Sequence, residues 1–515
     1  MDRLLETTRF GACVGAVAVV LGMLVGCGSE PQGGPSEGQG GTGGSGGGAG
    51  GAGESAQCTP SVNLDSKSRS FIITDQEILA KFSLERVLQQ MIDTTGSTSG
   101  ALTPLALLQR FFDTENATSG AAFSDVSHCD SQSSFAFLVA PPTHCPRAEG
   151  ALATNPNLLT AGDPNSFVPV AIVNRFDLTR ASGISCGEYR LVYAKSSGKT
   201  NPEDRVFLII EAFLSNPQFP DVLACKPIAD MWASLDGETD LQVVSNKVEN
   251  FFFTGLSNFG PVVHADNCGE KGPDDDGSYG GSRGQVRIGH KMQVPWEWRE
   301  FHVKRSPAGS AVPLAVTPVG VKNNPLPERF DVAATPGDEW FRQEFIGTSL
   351  ASLAAPEFHA IRMQAPVKSN MGQSAFEGAA ASDYAARGSK SPGADFASQL
   401  DTQLELAQLG TSCPPDDPLT GKNILQRASM HSCAGCHAPQ QFLEPGNSIG
   451  CGLTWPDSLG EVHIDENGQL SKALTDVFLP RRAEVLSKFV GGCSLTAINA
   501  VLQPVDPSDM VGLPK

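Results

Sequence analysis

The sequence predicts a mixed α+β protein: a large body built on a mainly antiparallel sheet with helices at its ends, followed by a small, mostly helical domain. Three observations lead there. Short runs rich in Val, Ile, Phe and Tyr, bounded by Gly, Pro, Asn and Asp, are interleaved with amphipathic stretches and show no internal repeat. The texture changes near Thr411, where a Pro- and Asp-rich joint leads into helical spacing. Residues 28–57 are a Gly-rich tract unable to bury apolar surface, so they stand outside any core. A chain of 515 residues has room for two or three domains and needs no disulfide or metal merely to fold. With a net charge of −19 and no clustered Lys or Arg, it lacks the phosphate-tracking surface that nucleic acid requires.

The chain starts with Arg3 and Arg9, followed by an apolar run from Gly11 to Val25 that is too short and glycine-rich to span a membrane comfortably. It ends in Leu24-Val25-Gly26-Cys27, which resembles the lipobox of bacterial lipoproteins. The resemblance implies that residues 1–26 are a signal peptide, that Cys27 is lipidated and becomes the mature N-terminus, and that the protein is lipid-anchored in the cell envelope, outside the cytoplasm and at the outer membrane. The alternative is an ordinary cysteine beside an uncleaved leader. Residues 27–57 then form a lipidated tether, a flexible coil with a root-mean-square reach of roughly 30 Å.

Residues 58–410 form the large body. "TDQEILAKFSLERVLQQMI" (74–92) has Thr74 and Glu77 at capping-box spacing and predicts one helix. In "TPLALLQRFF" (103–112), Thr103 is the expected N-cap, with Pro104 in the first turn. Strands are expected at 167–178, 188–194 and 205–214, a helix at 241–256, and strands again in "GQVRIGHKMQV" and "WEWREFHVKR". No catalytic signature stands out in this body. Glu211 and the Asn174-Arg175-Phe176-Asp177 stretch supply carboxylates, but charges in apolar strands are more often paired structurally. "PDDDGSYGG" (273–281) lacks the alternate spacing of a calcium loop, and His264, His290, His302 and His359 are scattered singly.

Outside the cytoplasm thiols are oxidised, so Cys129 with Cys145, Cys186 with Cys225, and Cys451 with Cys493 are expected partners by sequence proximity. Cys268 and Cys58 are the expected leftovers.

Residues 411–515 carry the strongest motif. After a short helical stretch through Leu425 and Arg427 comes Cys433-Ala-Gly-Cys436-His437, a C-x-x-C-H. In a c-type site two such cysteines add across the vinyl groups of haem, and the adjacent imidazole ligates the iron. The segment resembles a cytochrome c domain: an attachment helix, a long loop, a second ligand position and a closing helix, here "LPRRAEVLSKFV" (479–490). The resemblance implies one covalently attached haem c on Cys433 and Cys436, His437 as proximal iron ligand, and His463 as distal ligand. The family's usual distal ligand is Met, which makes Met510 the rival. Trp455 is a candidate for packing on the macrocycle, and Arg427, Arg481 and Arg482 for pairing with its propionates. Met430 and His431 lie too near Cys433 to reach the opposite face easily.

Three other readings remain open. Cys433 and Cys436 could form a local disulfide, or they could bind zinc with His437 and a fourth ligand such as Cys413 or His463. Haem could also act on peroxide, which needs an open sixth position and so conflicts with His463 ligation. The sequence therefore points to a membrane-anchored monohaem electron-transfer protein with a redox partner protein. A non-redox, disulfide-stabilised envelope lipoprotein serving as a binding or structural module is the alternative.

Overall fold

The computed structural model describes residues 58–98, 100–130, 145–269, 284–366, 369–375, 383–441 and 448–502. The leader, Cys27, the tether, the 273–281 acidic turn and Met510 lie outside them.

An antiparallel sheet organises the chain. Its strands are β1 (Ile72–Ile73), β2 (Phe167–Arg175), β3 (Ser185–Lys195), β4 (Val206–Ser215), β5 (Gln285–His290), β6 (Glu297–Arg305) and β7 (Leu314–Val319), paired in sequence order, with β8 (Gln373–Ala375) added to β6. Every pairing is antiparallel, as expected. The register sets Arg190 opposite Glu211, and Arg287 opposite Glu300. Because side chains alternate along a strand, these charges share one face while Leu208, Ile210, Val286 and Ile288 point to the other.

The helix expected over 74–92 is two helices, α1 (Gln76–Leu79) and α2 (Leu84–Asp93). Ser83 interrupts them because its extended backbone and side chain cap α2, accepting from Arg86 N. The anticipated capping box at Thr74 is not formed: the residue before α1 is Asp75, which makes no side-chain cap. In α3 (Pro104–Asp113) Thr103 does cap, accepting from Ala106 N. The strand expected to reach residue 178 stops at Arg175, where Phe176–Leu178 turns into a 3-10 segment. Next come α4 (Lys226–Ala233) and α5 (Leu241–Phe253), the latter capped by Asp240. A second group contains α6 (Glu339–Leu353), α7 (Tyr384–Gly388), α8 (Phe396–Leu406) and α9 (Gly421–His431); the chain then continues through α10 (Cys433–His437), α11 (Leu479–Val490) and α12 (Leu495–Asn499).

No separate core forms behind residue 411 among the described residues. Ile424, Leu425 and Ala428 of α9 join the cluster made by Phe330, Phe345 and Phe396. Leu479, Leu486 and Phe489 of α11 join the sheet's own cluster, with the Phe489 ring 4.9 Å from that of Phe176. The expected boundary after residue 410 is therefore not a break in the packing. The segment's helices bury apolar faces against the preceding chain as well as against one another, and the described residues belong to one compact unit.

Four disulfides brace the molecule: Cys58–Cys493, Cys129–Cys145, Cys186–Cys225 and Cys413–Cys451. The second and third match the sequence expectation. Cys451 does not pair with Cys493, because α11 carries Cys493 to the start of the body, where Ser61 N donates to Gly491 O at 3.0 Å. Cys58 is thereby consumed. Cys268, Cys433 and Cys436 remain as thiols.

Candidate functional site

The C-x-x-C-H segment is shaped by local hydrogen bonding. A capping box starts α9: Thr420 Oγ1 accepts from Asn423 N at 3.2 Å, and Asn423 Oδ1 accepts from Thr420 N at 3.0 Å. Arg427, projected as a propionate partner, does something else. Its guanidinium is fully buried and donates to the carbonyls of Leu353, Ala355, Ile449 and Gly450 at 2.7–2.8 Å. It is a clasp between α9 and two loops, outside the cavity described below.

Ser432 adopts an extended backbone, ending α9 and capping α10 by accepting from Gly435 N at 3.0 Å. Gly435 is required here, since a Cβ would lie 1.9 Å from Ser429 O. Ala434 N donates to Ser374 Oγ at 3.2 Å and so fixes the turn to β8. Helical spacing then brings Cys433, Cys436 and His437 to one side.

That side lines a cavity of about 480 Å³, within the range of cofactor and small-molecule sites. The sheet supplies one wall, including Val173, Val192, Ile209 and Trp298; Phe358, Trp455, Val462 and Phe478 supply the other. The His437 ring lies 5.0 Å from Trp298 and 4.7 Å from His463, centroid to centroid. His463 is held by Ser471, whose Oγ is 3.0 Å from Nδ1, while its Nε2 is 3.3 Å from Cys436 Sγ. Trp455, the candidate for packing on a macrocycle, lines the cavity, 4.8 Å from the Phe358 ring. His431, set aside on sequence grounds, also faces it, with an Nε2 that has no hydrogen-bond partner among the described residues.

Burial governs the titration of these groups. It pulls His463 down to about 4, with Arg482 adding repulsion, and His431 to about 4, with help from Arg362. His437 is also held well below its ordinary value, first by burial and then by His463. All three imidazoles are therefore neutral at ordinary pH, the form that ligates a metal. Burial likewise raises Cys433 to about 12 and Cys436 to about 11, keeping both as thiols.

The polar part of the lining is cationic. Arg175, Arg190, Arg287 and Lys322 on one side, with Arg362, Arg481 and Arg482 on the other, face only two lining carboxylates, Asp177 and Glu211. Both carboxylates are paired, as the structural reading expected. Asp177 accepts from Arg175 Nε at 3.0 Å, and Glu211 lies 3.2 Å from Arg190 and 3.5 Å from Arg287. Sequence reasoning missed Arg175, Arg190, Arg287 and Trp298 as site residues. Their signal is charge or Trp recurring at alternate positions within otherwise apolar strands.

The donor set fits a c-type haem in its chemistry: two adjacent thiols, a neighbouring imidazole, a second imidazole within reach and cations for propionates. As they stand, the His437 and His463 rings touch, so His463 serves as a distal ligand only if its loop moves outward. Zinc fits less well. Cys413 is bonded to Cys451, and among the described residues no three His, Cys, Asp or Glu side chains are grouped to hold a metal. Among those residues, too, no helix is long and apolar enough to cross a membrane. No family model, curated protein or solved structure matches the chain.

Proposed function

We propose that this is an envelope-anchored redox protein carrying one haem c, attached through Cys433 and Cys436 and ligated by His437, that exchanges electrons with a partner protein. One observation carries the reading. Eight of the eleven cysteines from residue 58 onward are disulfide-bonded, whereas Cys433 and Cys436 stay as thiols and face, with His437, a cavity large enough for a cofactor. Bound haem would supply a one-electron couple whose potential depends on its axial ligands and burial. This chain's contribution is to present the thiols and His437 from one rigid turn, to back His437 with Trp298 and to shield the site with apolar walls. His463 is the proposed distal ligand, with Ser471 orienting its ring in the way outer hydrogen bonds orient metal-bound histidines. The lipid anchor at Cys27 and the outer-membrane location rest on the sequence alone.

The test is maturation in a host with cytochrome c assembly machinery, followed by mass spectrometry and pyridine haemochrome absorption. Haem-sized added mass that disappears in the C433A/C436A chain is the expected result; a mature protein without it ends the proposal. In the loaded protein, His463→Ala should convert a low-spin visible spectrum to high-spin, and an unchanged spectrum removes His463 as ligand. The second reading, a non-redox envelope module, is favoured by the four disulfides. Peptide mapping that finds a Cys433–Cys436 disulfide would select it.

A further inference from the structure

The cation-rich corner of the cavity contains a group that its surroundings do not satisfy. Arg482, on the first turn of α11, has a side chain only 8 % exposed, and its Nη1 has no hydrogen-bond partner among the described residues. Its nearest carboxylate is Asp177, with Nε 3.8 Å from Oδ1, beyond hydrogen-bond range. Asp177 is already committed to Arg175, through contacts of 3.0 Å at both Nε and Nη2. Arg190 is likewise committed to Glu188 at 2.7 Å and to Glu211 at 3.2 Å. Burial and the nearby Arg175 together disfavour the charge on Arg482. A guanidinium nevertheless stays protonated in proteins, so one whose sole close carboxylate among the described residues lies beyond hydrogen-bond range is costly in a buried wall unless something else completes it.

We propose that this corner is a binding site for a small oxyanion or carboxylate, gripped by the fork of Arg482 with Arg175 and Arg190 beside it. A planar guanidinium matches two oxygens of such a group side by side, and the other two cations supply field without giving up their own partners. The shared chemistry has two sources: a carboxylate carried in on a cofactor such as haem, or a free anion that enters the cavity. The proposal does not rest on the haem reading, because the guanidinium without a hydrogen bond among the described residues is a property of the chain itself.

Calorimetric titration of the full chain with sodium sulfate at low ionic strength tests it, with C433A/C436A protein as the cofactor-free arm. Saturable one-site binding is expected in that arm. It should weaken about ten- to hundredfold in Arg482→Gln, the range for losing a charged hydrogen-bond pair. Arg482→Lys keeps charge and length but loses the fork, and a several-fold loss is expected. This variant decides the matter if the Gln variant does not fold. In haem-loaded protein, loss of sulfate binding identifies the cofactor's carboxylate as the resident, and retained binding identifies a free anion. No saturable binding in the cofactor-free arm, or binding unchanged in the Arg482 variants, overturns the proposal whether or not haem is found.

Discussion

The two faces of the central sheet bury charge in opposite ways, and strand β6 serves both. Glu297 and Arg299 point to one face, Trp298 and Glu300 to the other. On the first, the buried Arg147 is held by several partners: its Nε and Nη2 donate to Glu149 at 3.1 and 3.0 Å and Nη2 to the carbonyls of Gln293 and Pro295, while its Nη1 lies 3.4 Å from Glu297 without a hydrogen bond among the described residues. Arg299 pairs with Glu115, and His290 stands 3.6 Å from the same carboxylate. Two guanidiniums there face three carboxylates. An acid can resolve such an imbalance by keeping its proton, and burial raises Glu297 to about 8. The cavity face carries the reverse imbalance, which arginine cannot relieve by losing a proton. An excess of buried carboxylate can be closed internally, whereas an excess of buried guanidinium calls for a partner from outside.

Two substitutions test that contrast at its largest expected effect. Arg147→Met strands Glu149 inside the protein and should lower unfolding free energy by about 3–5 kcal/mol, the scale for breaking a buried pair. Arg482→Met strands nothing, since Asp177 keeps Arg175, and it should change stability by less than about 1 kcal/mol. Urea titrations of both should give clearly separated midpoints, and equal losses would mean that the faces do not differ. Next in size is the brace on α11. Cys58–Cys493 closes a sequence separation of 435 residues against 16 for Cys129–Cys145. On the loop-entropy account, C58S/C493S should lower stability by about 2–5 kcal/mol and more than C129S/C145S. The same denaturant series with the two double-serine variants checks the order.

Much of the sheet was legible because its strands are runs of β-branched and aromatic residues with turn residues at both ends. The site was legible in one piece, the C-x-x-C-H, whose spacing has meaning without tertiary context. Other features depended on distant partners. Ser83 breaks the helix expected over 74–92 although the apolar spacing continues, because α1 and α2 bury against the same core. β8 is three residues of loop sequence that become a strand only by pairing with β6. Cys493 meets Cys58 because α11 packs back on the body, a fact absent from local spacing. The role of Arg427 went the same way: its four carbonyl partners come from two segments that no motif connects to α9.

The last contrast is read in pH: how the opposite face manages its excess carboxylate. Glu297 is fully buried, accepts from Gln373 Nε2 at 2.9 Å and has a folded-state value of about 8 against an ordinary 4.5. The folded protein then holds a proton that the unfolded chain has released between those two values. By linkage this contribution to stability is complete below about 4.5, is lost as pH rises to about 8, and is constant above. Glu297→Gln has no proton to lose and keeps an amide able to contact Arg147 and Gln373. Its stability relative to the native protein should therefore rise between pH 5 and pH 9, read as the difference between paired urea midpoints at each pH. A difference that stays flat would show that Glu297 is ionised in the fold and that Arg147 alone balances it, which would make the two faces alike in needing no adjustment on the acid side.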